Sequence, residues 1–163
     1  MASEKATAEK RSPADIARRN AAKGAEFERD IMKRFNALAN ARAEALGIPV
    51  PKLPFFHRNR NQAGYAGADI NNPFGLQIEC KNCAKIETEK WWQQVMTAAR
   101  QYGGIPLVVW KVQGTRRIRA MLPGTLYGGP MRGEKPVWSP VIIDETTLLE
   151  WVAHRIDVKF QQK

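Results

Sequence analysis

Asp69-Ile70-Asn71-Asn72-Pro73-Phe74-Gly75-Leu76-Gln77-Ile78-Glu79-Cys80-Lys81 is the stretch whose reading decides the fold. Its middle, Asn72-Pro73-Phe74-Gly75, has turn chemistry: proline presets φ, glycine accepts positive φ, and asparagine bonds its own backbone. Ala68 to Asn71 leads into that turn and Leu76 to Asn82 leads out, which predicts a hairpin. Side chains alternate across a strand, so Leu76, Ile78 and Cys80 share one face while Gln77, Glu79 and Lys81 share the other. The apolar face is the one to bury. The opposite face then presents a carboxylate and an amine pointing the same way, and the hairpin folds Asp69 back beside them.

Working outward, the N-terminal side predicts a helix from about Gly24 to Leu46. Phe27, Ile31, Phe35 and Leu38 recur on one stripe, and Gly47, Pro49 and Pro51 end it. Residues 1–22 are rich in Ala, Lys, Arg, Glu and Ser and read as a flexible basic arm, with Ser12-Pro13 able to cap a short helix over 13–22. Residues 23–163 form the expected single domain. Leu53 to His57 is a strand candidate, followed by a polar loop from Arg58 to Gly64.

On the C-terminal side a second helix is expected over Thr88–Tyr102. Its stripe is Trp92, Val95, Met96 and Ala99, and Trp91 falls off that stripe, available to a partner subunit or a base. Gly103-Gly104 stops it. Ile105–Val112 is a near-continuous apolar run, the mark of a central buried strand. Arg116–Leu122 and Val137–Ile143 read as further strands. Asp144 caps a last helix to about Ile156, with Leu148, Leu149 and Val152 inward. This order of elements predicts an α/β fold, a mixed central sheet flanked by helices.

Asp69, Glu79 and Lys81 form a set suited to phosphodiester hydrolysis. Hard oxygen ligands bind Mg2+, with Mn2+ as a substitute, and a neighbouring lysine offsets charge building on a pentavalent phosphorus. The plainer alternative is a salt bridge on an exposed sheet face. Glu28 adds to the first reading. At about 100° per residue with Phe27 as zero, Ile31 falls near 40°, Phe35 near 80° and Glu28 near 100°, inside the apolar arc. A carboxylate there is costly unless paired or beside a cation. Either a lysine-type partner or a metal site satisfies it. The two cysteines, Cys80 and Cys83, read as small buried hydrophobes in a reducing compartment, since no second pair or spaced histidines complete a zinc site.

The chain of 163 residues carries a formal net charge of +10. Such an excess favours a polyanion, with DNA the leading partner. No apolar run approaches the roughly 20 residues of a membrane span, and the N-terminus has no apolar leader core, so a cytoplasmic protein is expected. Arg58 and Arg60 flank the carboxylates, while Arg116, Arg117 and Arg119 cluster at a strand start; all are candidates for phosphate contact.

These residues resemble the PD-(D/E)XK nuclease superfamily, and within it the archaeal-type Holliday-junction resolvases, including phage-encoded ones. Three blocks carry the resemblance. Lys23-Gly24-Ala25-Glu26-Phe27-Glu28-Arg29 is similar to the opening helix with its active-site glutamate, here Glu28. Ala68-Asp69-Ile70 through Glu79-Cys80-Lys81 is similar to the D…E-x-K core. Arg100 to Val109 is similar to the helix end, glycine pair and buried strand that follow. The resemblance implies a restriction-endonuclease-like fold, a homodimer, and paired Mg2+-dependent nicks across a four-way DNA junction. It also implies metal ligation by Asp69, Glu79 and the Cys80 main-chain carbonyl, with Glu28 as a further ligand, and phosphate contact by Arg29 and by Arg58 or Arg60. The chain departs from the pattern at Ala68, where proline is usual, at Ala66, where serine is usual, and at Trp91. This last position aligns with a glutamine of the second helix, from which Gln93 and Gln94 are offset. Residues 113–163 carry no part of the resemblance. Two rival functions remain: a nuclease of the same superfamily acting on flaps, ends or a short site, and a DNA-binding module without catalysis.

Overall fold

The computed structural model describes residues 12–59, 68–126 and 137–162, apart from the side chains of residues 125, 126, 137 and 138. The elements follow in the order α1 (Pro13–Ala45), β1 (His57–Arg58), β2 (Ile70–Asn71), β3 (Leu76–Cys83), α2 (Thr88–Tyr102), β4 (Ile105–Val112), β5 (Ile118–Leu126), β6 (Val137–Asp144) and α3 (Glu145–Gln161). The six strands form one sheet in sequence order. Every neighbouring pair is antiparallel except β3 and β4, which run parallel, with Glu79 opposite Val108 and Lys81 opposite Trp110. A parallel pair needs a crossover, and α2 supplies it. The expected mixed sheet flanked by helices is therefore what the chain builds.

The sheet is covered on both sides. Leu76, Ile78, Cys80, Leu107, Val109, Ile118 and Ala120 face the buried stripes of α1 and α3. Val108, Trp110 and Met121 face α2 through Trp91 and Val95. Burial on both faces is why Ile105–Val112 reads as a continuous apolar run. At the base of the larger core, Phe56 stacks on Phe74 with centroids 5.1 Å apart, and Phe160 meets Phe74 edge-on at 5.6 Å.

α1 is one helix of 33 residues. Residues 13–22, expected as a separate short helix on a basic arm, form its first turns. Ser12 caps them by accepting from the Asp15 N–H at 3.2 Å. Phe27, Ile31 and Phe35 are buried as expected, and the stripe continues through Ala39 and Ala43, with Leu38 half-buried beside it.

Three expectations need correction. The strand at Leu53–His57 shrinks to His57–Arg58. Pro54 has no N–H to give a ladder, and the backbone of Phe56 is satisfied instead by Asn36, which donates to its carbonyl at 2.7 Å and accepts from its N–H at 2.9 Å. On α2 the buried stripe is Trp91, Val95 and Ala98, rotated from the one expected, and Trp91 meets Trp110 with centroids 6.0 Å apart. It is a core residue, not a contact for a partner or a base. Third, β5 starts at Ile118, so Arg116 and Arg117 precede it in an irregular segment after the turn at Gln113-Gly114. Among the described residues no helix is long and apolar enough to cross a membrane.

Candidate active site

The hairpin places Asp69 through local bonds. Asn72 folds the turn by accepting from the N–H groups of Phe74 at 3.1 Å and Leu76 at 3.2 Å, and donates to the Leu76 carbonyl at 2.9 Å. Gly75 takes a positive φ of 72° there. Past the turn, Ile70 pairs with Ile78, and the Asp69 N–H donates to the Ile78 carbonyl at 2.8 Å. The Asp69 carboxylate then turns onto β3 and accepts the Cys80 N–H at 2.7 Å. In an extended strand the N–H and C=O of one residue point to the same side. The Cys80 carbonyl therefore faces the side on which Asp69 lies.

Alternation along β3 gives the rest. Cys80 enters the core beneath α1, while Glu79, only 3% exposed, lies on the opposite face under α2. Lys81 ion-pairs with Glu79. Gln94, on α2, closes a triangle: its amide donates to Glu79 Oε1 at 2.8 Å, and its carbonyl oxygen accepts from Lys81 Nζ at 3.3 Å. Burial first, and the Asp69 charge second, push the Glu79 carboxyl up to about 7, against the pull of Lys81 and Gln94. Among the groups described here, Glu79 is thus poised near neutrality.

Glu28 comes to the same place from α1. It is 9% exposed, and its pKa is raised, first by burial and then by the Asp69 charge, against the opposing effect of Arg58 and Arg29. Arg58 Nε lies 2.9 Å from Glu28 Oε2. Oε2 is buried, and the contact with Arg58 is an ion pair that favours the charged carboxylate. Three carboxylates on α1, β2's approach and β3 are thus electrostatically linked, and the buried Cys80 thiol is raised by burial and then by Asp69, Glu28 and Glu79 in turn.

The other expected contacts divide. Arg29 is exposed on α1 next to Glu28. Arg116 and Arg117 are exposed before β5, two strands away from β3. Arg60 lies outside the described residues. Cys80 and Cys83 are free thiols. Gln94 was named in the sequence only as offset from the glutamine position of the second helix, and was given no role. A signal was present, because Gln94 lies at i+3 from Trp91 and beside Val95, at the edge of the stripe Trp91, Val95 and Ala98 that is buried.

Among the described residues no three His, Cys, Asp or Glu side chains form a ready metal cage. Mg2+ does not require one, since it binds through one or two carboxylates while keeping waters and substrate oxygens. Asp69 and Glu79, with the Cys80 carbonyl on the same side, fit that donor chemistry. Burial first, and the Asp69 charge second, raise both Glu79 and Glu28, which suits acidic side chains crowded where a cation would offset them.

No curated protein and no solved structure matches the chain. A family model described as Phage putative PDDEXK endonuclease matches residues 19–145, a span holding Glu28, Arg58, Asp69, Glu79, Lys81 and Gln94. Since that match covers most of the chain and every residue assembled above, the protein belongs to the Phage putative PDDEXK endonuclease family.

Proposed function

We propose that the protein is a divalent-metal-dependent endonuclease that nicks DNA at four-way junctions, acting in the cytoplasm as a homodimer. The observation that carries the nuclease reading is the convergence of Asp69, Glu79 and Lys81 through the Asp69–Cys80 bond and the Glu79–Lys81 pair. Asp69, Glu79 and the Cys80 carbonyl would hold Mg2+ or Mn2+, with Glu28 as a further ligand. When bound, the metal polarises the scissile phosphoryl group and acidifies a water. Lys81, fixed between Glu79 and Gln94, directs its ammonium at the charge that develops on the phosphate oxygens. Gln94 acts through both neighbours and is a positioning residue. Arg29, Arg58, Arg60, Arg116 and Arg117 would contact phosphates, which orient DNA without reading its sequence. The junction preference and the dimer rest on the resemblance of residues 23–29, 68–81 and 100–109 to resolvases.

The test is cleavage of a labelled four-way junction and a matched linear duplex with Mg2+, by wild type and Asp69→Asn. Symmetric nicks near the branch point are expected from wild type alone, with the variant still binding. Equal cutting of both DNAs would keep the nuclease and discard the junction preference. Binding without cutting under either metal would leave a DNA-binding module.

A further inference from the structure

Arg58 is fixed at its backbone and loose at its tip. It pairs with Ile70 in the sheet, and the next residue, Asn59, donates its N–H to the Asp69 carbonyl at 2.9 Å and its amide to the Ala68 carbonyl at 3.1 Å. The main chain of Arg58 is therefore held beside the carboxylates. Its side chain remains 49% exposed, while the partner Glu28 side chain is 11% exposed. The contact is an ion pair made through Nε at 2.9 Å. A guanidinium has five N–H groups in a fork that matches two oxygens of a phosphate. It can exchange that carboxylate for a phosphate and keep an anionic partner. Glu28 left alone, buried beside the Asp69 charge, would then need another cation.

We propose that Arg58 exchanges between Glu28 and a DNA phosphate, and that Glu28, by holding Arg58 when no metal is bound, couples metal binding to DNA binding. The inference rests on the active-site reading above. Arg58 would leave Glu28 where a divalent ion is held there, and its guanidinium would then take a phosphate of the bound strand. By linkage the converse holds: a phosphate that draws Arg58 away opens Glu28 to the ion. Metal and DNA then favour each other through one side chain, in addition to any oxygen they share.

The experiment compares wild type, Glu28→Gln, Arg58→Gln and the double variant, all confirmed folded by melting. The first readout is affinity for a short linear duplex in chelator, where no cutting occurs. Glu28→Gln should tighten binding about fivefold when Arg58 is present. In the Arg58→Gln background the same change should do nothing. An equal gain in both backgrounds would show only the loss of a negative charge, and would overturn the proposal, as would no gain in either. The second readout is calorimetry with Mg2+ alone. Arg58→Gln should tighten Mg2+ binding when Glu28 is present and leave it unchanged in the Glu28→Gln background; equal effects would again overturn it. Failure of all four proteins to bind DNA would instead defeat the nuclease reading, and the calorimetry would still decide whether Arg58 and Mg2+ compete for Glu28. Glu28→Met, uncharged and of similar bulk, replaces Glu28→Gln if the amide does not fold.

Discussion

At the residue scale, the charge of Glu79 is set by a contest. Burial and Asp69 favour the neutral acid, while Lys81 and Gln94 favour the carboxylate. With its pKa raised from 4.5 to about 7, the folded protein holds a proton that the unfolded chain has already released within that interval. Its contribution to stability is fully present below pH 4.5 and is lost as pH rises through about 7. Glu28, also raised, acts in the same direction. Metal-free protein should therefore melt at a lower temperature at pH 8 than at pH 5, with on the order of 2 kcal/mol at stake for Glu79. Glu79→Gln should flatten that decline; an unchanged slope would show that Glu79 is not the group concerned. Added Mg2+, which favours the carboxylate, should raise the melting temperature at pH 8 and do little at pH 5.

Gln94 gives a second residue-level prediction. Groups that orient a metal ligand typically matter by about 10- to 100-fold. Gln94→Ala should lower the cleavage rate by roughly that much, with KM and melting temperature little changed because the residue is exposed. A rate equal to wild type would remove it from the site. Asp69, Glu79 and Lys81 could be seen in the sequence because strand alternation and a turn suffice to bring them together. Glu28 could be seen because a helix wheel exposes a charge on an apolar stripe. Gln94 was passed over, although its spacing from Trp91 was readable, because the α2 stripe was phased on Trp92 and Met96. Both of those are apolar too, and only the position of β4 shows which side of the helix is inward.

At the scale of elements, the junction between α2 and β4 has little room. Gly103 and Gly104 both take positive φ, 74° and 100°. A Cβ at Gly103 would meet nothing, whereas one at Gly104 would come within 2.8 Å of the Gly75 carbonyl oxygen. That oxygen accepts the Ile105 N–H that starts β4. Gly103→Ala should cost about 1 kcal/mol from backbone strain alone, and Gly104→Ala clearly more. Equal melting temperatures for the two would mean the hairpin turn yields freely. The bounds of α2 and β4 were legible because glycines and apolar runs are local signals. β1 was not, because the backbone bonds of Phe56 go to Asn36, a side chain twenty residues away in sequence. The unbroken length of α1 was hidden as well. Nothing apolar besides Ile16 marks its first turns, which rest on the Ser12 cap and alanine-rich composition.

For the whole molecule, the excess of positive charge, +10 over 163 residues, bears on binding rather than on folding. If roughly four to six phosphates are neutralised, affinity for DNA should fall on the order of 10²- to 10³-fold between 50 and 200 mM salt. Arg116→Gln should reduce the slope of that dependence by about one and leave cleavage chemistry intact. A slope equal to wild type would place Arg116 outside the contact. None of this was decided by composition alone: the same charge suits any polyanion, and the carboxylates on β3 and its hairpin narrow it.

The proposed catalytic set is divided between unequal supports. Glu79 and Lys81 stand on an eight-residue strand enclosed by helices on both faces, whereas Asp69 precedes a two-residue strand, and Arg58 ends another. Heat loosens a fold first where cooperative support is thinnest. On warming, this edge should come away while β3 to β6 and their helices stay intact. Catalysis would then fade below the melting temperature and return on cooling, as a failure of assembly in one corner of an otherwise native protein.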